Sequence, residues 1–154
     1  MNIRLIAFQG QRLSHSGLLI ELWFHVLVCA IDQQPSTASL LNLRMILAHC
    51  AHQMKLGEDL DLDYLLEQPE QIQELLALCQ FVVHRLPSEP LALIPPIFLS
   101  SIAPQGGFWS GDYDTFDFES RRLQLLGQSF MHLLRGTLPA PPGAHKRLSG
   151  NYIT

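Results

Sequence analysis

Between residues 72 and 86, Ile72, Leu75, Leu76, Cys79, Val82, Val83 and Leu86 recur at steps of three and four. An α-helix gathers that spacing onto one face, and a strand scatters it over both. Pro69 suits the first turn of this helix, where a missing N–H costs nothing, and Pro87 and Pro90 end it. A chain holding this stripe must bury it against other elements.

Further helices are readable on the same grounds. Leu18–Ile31 is an apolar run of 14 residues containing Glu21 and His25. A bilayer span needs about 20 residues, so the run reads as a buried helix. Ser14 or Ser16 can cap it, and Gln33-Gln34-Pro35 stops it after Asp32. A second helix is expected over 36–56, with Leu40, Leu43, Leu47, Cys50 and Met54 on one face and Gly57 as its stop. Residues 59–67 read as a short helix. A last helix is expected over 117–135, with Leu123, Leu126, Phe130, Leu133 and Leu134 inward and Gly136 at its C-terminal cap. Residues 2–8 read as a short strand or an extended lead-in. Residues 91–102 are apolar but broken by Pro95-Pro96, leaving room for a short helix at the prolines, and 103–116 read as a loop.

The expectation is an all-α fold: a compact domain of four to five helices over 1–136, with room for a short N-terminal strand. A Pro/Gly-rich, weakly basic C-terminal tail follows over 137–154. Charged residues are only 16% of the 154, against a usual share of roughly 25%, so most of the chain is expected to be ordered. Apolar surface that it cannot cover itself is available to a partner, and a structural subunit of a larger assembly is one class that fits.

The net charge is −4, and eight Arg and two Lys are scattered, which argues against nucleic acid as a partner. Cys29, Cys50 and Cys79 are too few, and odd in number, for a disulfide framework. They read as reduced, buried thiols, which favours the cytoplasm. The N-terminus has only a short apolar run and no cleavage signal after it, so it does not read as a signal peptide.

Four groupings could carry function. Glu21, His25 and Cys29 are spaced by four on the first helix, and Asp32 follows. They form a polar stripe that could meet His49 and His52 of the second helix. Facing helices can assemble a zinc site in this way, but no Glu-x-x-His, His-Glu-x-x-His or Cys-x-x-Cys motif is present. Catalysis lacks a Gly-x-Ser-x-Gly turn, Gly106-Gly107 lacks the Lys-Ser/Thr ending of a phosphate loop, and Asp112-Tyr113-Asp114 lacks the glycine and the final Glu of a calcium loop.

The third grouping is the acids. Residues 58–74 hold Glu58, Asp59, Asp61, Asp63, Glu67, Glu70 and Glu74, and 112–119 hold Asp112, Asp114, Asp117 and Glu119. Neither stretch contains a Lys or Arg. Offsetting helix dipoles explains part of this pattern, but it does not explain the missing bases. The fourth grouping is the loop over 106–116, with Phe108, Trp109, Tyr113 and Phe116 among Gly and Asp. Exposed aromatics of this kind anchor interfaces, whereas folded inward they would form a lid on the core.

The function expected is therefore non-catalytic binding of another protein, as a small acidic inhibitor, immunity-type protein or adaptor. Its contacts would be Asp59, Asp61, Asp63, Glu67, Trp109, Asp112, Tyr113 and Asp114, against a partner with a basic surface and with no cofactor. The alternative is a helical metal- or ligand-binding protein, an enzyme included, built on Glu21, His25, His49 and His52.

Overall fold

The computed structural model describes residues 3–88 and 113–139, with side chains from 120 onward in the second segment. The elements run β1 (Ile3–Phe8), β2 (Gln11–Ser16), α1 (Gly17–Asp32), α2 (Ala38–Lys55), β3 (Leu60–Asp61), α3 (Pro69–Arg85) and α4 (Tyr113–Arg135).

The all-α expectation is overturned by a three-stranded mixed sheet in the order β2-β1-β3. β1 and β2 form a hairpin in which Phe8 lies opposite Gln11, so only Gln9 and Gly10 make the turn. Both have positive φ, 48° and 82°, which is the backbone that lets a two-residue turn match strand twist. Ile6, Phe8 and Leu13 are buried on the inner face, with Ile6 directly across from Leu13. β3 then joins the far side of β1 in parallel, at Ile6–Leu60 and Ala7–Asp61. The short helix expected over 59–67 is replaced by β3 and a single turn, closed by the Leu65 and Leu66 N–H groups donating to the Leu62 carbonyl.

α1 is buried on almost every side, including Leu19, Ile20, Leu22, Trp23, Phe24, Val26, Leu27, Ala30 and Ile31. That is the position of a central helix, and α2, α3, α4 and the hairpin all pack on it. Ser16 is its N-cap, with Oγ accepting from the Leu19 N–H. α2 closes in a double hydrogen-bonded cap: the Gly57 N–H donates to Met54 and the Glu58 N–H to Gln53, with Gly57 at φ 81°.

α3 and α4 run antiparallel. Ser120 Oγ donates to the Leu86 carbonyl at 3.2 Å, and Gln124 Nε2 to the Val83 carbonyl at 3.1 Å. These side chains take carbonyls at the end of α3 that have no intrahelical donor. The core closes where Trp23 and Phe24 both meet Phe130 edge to face, with ring centroids 6.1 and 5.7 Å apart. α4 begins at Tyr113 rather than 117, so the last four residues of the expected loop are helical. Among the described residues, no helix is long and apolar enough to cross a membrane.

Candidate protein-binding surface

Residues 59–63 alternate as a strand does, and a turn follows. Leu60, Leu62 and Leu66 turn inward and are buried, while Asp59, Asp61, Asp63, Tyr64 and Glu67 are exposed. Burial of roughly 1.5–3 kcal/mol per leucine is a sufficient reason for this sidedness. It places the carboxylates outward without any attraction between them.

Two of those carboxylates extend the sheet. β1 directs the N–H of Leu5, the carbonyl of Ala7 and the N–H of Gln9 to the side away from β2. Asp59 Oδ1 accepts from Leu5 at 2.9 Å, the Leu62 N–H donates to Ala7 at 2.9 Å, and Asp63 accepts from Gln9 at 3.0 and 3.2 Å. A two-residue strand is thereby lengthened at both ends by side-chain oxygens standing in for backbone carbonyls. Asp61 Oδ1 in turn accepts from the Asp63 N–H at 3.0 Å, tightening the turn.

The outcome is a fixed acidic surface. Glu58, Asp59, Asp61, Asp63, Glu67 and Glu70 are all exposed. Among the described residues the ion pairs are Glu21–His25 and Asp32–Arg44, so none of these six carboxylates is neutralised by a base. Tyr64, in the same segment, has 79% of its surface exposed. Glu74, the last acid of the stretch, instead accepts from Ser39 Oγ at 2.9 Å and ties α3 to the start of α2.

Of the residues expected to bind a partner, Asp59, Asp61, Asp63 and Glu67 therefore share one segment. Tyr113 and Asp114 fall in the first turn of α4, and their side chains, like Trp109 and Asp112 as a whole, lie outside the described residues. Tyr64 was missed by sequence reasoning. A signal was present: it is the one aromatic in an acidic stretch whose inward positions are already taken by leucines.

The metal-site residues are dispersed. Glu21 and His25 form an i,i+4 pair at 3.5 Å, and Asp32 makes a two-pronged pair with Arg44 of α2, at 2.7 and 3.1 Å. Cys29 Sγ accepts from Gln33 at 3.8 Å. His49 and His52 are exposed, off the buried seam of Leu43, Leu47, Cys50 and Met54. Among the described residues, no three His, Cys, Asp or Glu are grouped as metal ligands would be. The stripe on α1 instead joins two helices at its Asp32 end. Burial raises the thiol of Cys50 to about 12 and that of Cys79 further still, which leaves both inert as nucleophiles near neutral pH.

No protein-family model, no curated protein and no solved structure matches the chain, so its function is read from this geometry.

Proposed function

We propose that this protein is a non-catalytic binding domain that covers a basic surface of a partner protein, in the manner of a small acidic inhibitor or adaptor. The observation that carries the reading is Tyr64: a large ring exposed to solvent in a segment that also exposes six carboxylates and is tied to β1 through Asp59 and Asp63. Amphipathic aromatics concentrate binding energy at interfaces. A segment already ordered loses little freedom on association, and an acidic field of one sign steers a cationic surface toward it.

The experiment is affinity capture from native lysate, followed by titration of Tyr64→Ala and of Glu67→Lys against whatever is retained. Tyr64→Ala is expected to weaken binding by about 2 kcal/mol, the size of an interface hot spot, with folding unchanged. A partner whose affinity is untouched by both substitutions would remove this surface from the proposal.

A further inference from the structure

His15 lies on the inner face of β2, directly across from Arg4 of β1 and half-buried. Its Nδ1 accepts from the Ser16 N–H at 2.9 Å. A neutral imidazole that accepts at Nδ1 carries its proton on Nε2. Ser16 is itself buried and is the N-cap of the central helix α1. The entry to α1 therefore rests on a lone pair that exists only while the ring is neutral.

The surroundings oppose protonation. α4 packs against β2 and brings Arg122 toward the ring. β1 places Arg4 opposite His15 in register, but its guanidinium lies against Gly57 after α2, and the first turn of α1, Gly17–Ile20, has no ionisable side chain. Among the described side chains, Arg122 is the charged group that bears on the His15 ring. Burial first, and Arg122 second, hold the imidazole below its ordinary value of 6.5.

We propose that His15 is a proton-operated latch joining β2, the start of α1 and α4. Neutral, it accepts from the Ser16 N–H and lets Arg122 lie close. Protonated, both ring nitrogens become donors, the Ser16 N–H loses its acceptor, and two cations face each other across the β2–α4 contact. α4 then loosens from the hairpin. The sign follows from the lowered folded value. The unfolded chain takes up the proton first, so the latch contributes its full stability above pH 6.5. It loses that contribution as pH falls below 6.5 and through the folded value.

The test uses the full chain, with the His15 ring followed by NMR from about pH 8 to about pH 4.5, and α4 amide exchange measured at both ends of the range. The expected result is a His15 midpoint below 6.5, loss of α4 protection on acidification, and absence of that loss in His15→Gln. Arg122→Gln is expected to move the His15 midpoint upward. A midpoint at or above the ordinary value would overturn the latch, as would the same acid loss of protection in His15→Gln. If His15→Gln does not fold, Arg122→Gln decides: a raised midpoint supports the latch and an unchanged one overturns it.

Discussion

Gly127 shows how much a single absent side chain can decide. A Cβ there would stand 2.5 Å from the Trp23 ring and 2.7 Å from Val83, so α4 approaches α1 and α3 only because the position is empty. Gly127→Ala is expected to destabilise the fold by about 1–3 kcal/mol, the range for overpacking a filled core, read as a lower urea midpoint. At Asp63 the role is polar. Asp63→Ala strips the Gln9 N–H of its acceptor beside the hairpin turn, at an expected cost of about 1 kcal/mol, and the Gln9 amide should exchange faster. Asp63→Asn keeps an acceptor oxygen and should cost less. Thiol reactivity follows burial: one thiol, the partly exposed Cys29, is expected to react slowly with an aromatic disulfide reagent at neutral pH, and three after denaturation. Burial and Asp32 both raise Cys29, which sets the slow rate.

Among the elements, the α3–α4 pair holds together by more than apolar contact, because α4 supplies donors to the end of α3. Ser120→Ala with Gln124→Ala is expected to cost about 1 kcal/mol per bond lost and to raise exchange in the last turn of α3 selectively. The helices were readable because each has a local signature: Ser16 as a cap, Pro69 at a first turn, Gly57 and Gly136 as stops. The sheet was not. In β2 the only buried apolar residue is Leu13, too little for a recognisable alternation, and the turn signal in Gln9-Gly10 is weaker than an Asn-Gly pair. β3 is two residues long and exists through pairing with a strand some 54 residues away, which no local window contains. Leucines at 60, 62, 65 and 66 suit one helical turn as well as a strand followed by a turn, and long-range pairing settled the matter. For the candidate surface, the acids stood out by charge alone. That Asp59 and Asp63 serve the sheet as well could not be read without the register of β1.

For the molecule as a whole, the proposed binding role would divide the work of association between charge and shape. Asp59 and Asp63 bond β1 on its β3 side, whereas α4 packs against β2 at the other edge of the sheet. Among the described side chains, the acids of 58–70 form the run of exposed carboxylates with no ion-pair partner. Association with a basic partner is expected to slow with added salt while dissociation changes little. Tyr64→Ala should do the reverse, shortening the lifetime of the complex. Stopped-flow measurements at two ionic strengths would separate the effects.

The stitching of β1 also sets an order of events for the growing chain. The hairpin can close as soon as its own residues, Ile3 to Ser16, are free, but the other neighbour of β1 arrives only with Asp59 to Asp63, after α1 and α2. Closing so long a loop costs entropy that a local turn does not. β1 is thus made well before β3 and completed only when β3 arrives, and until then its open edge is what a nascent chain must keep from its neighbours.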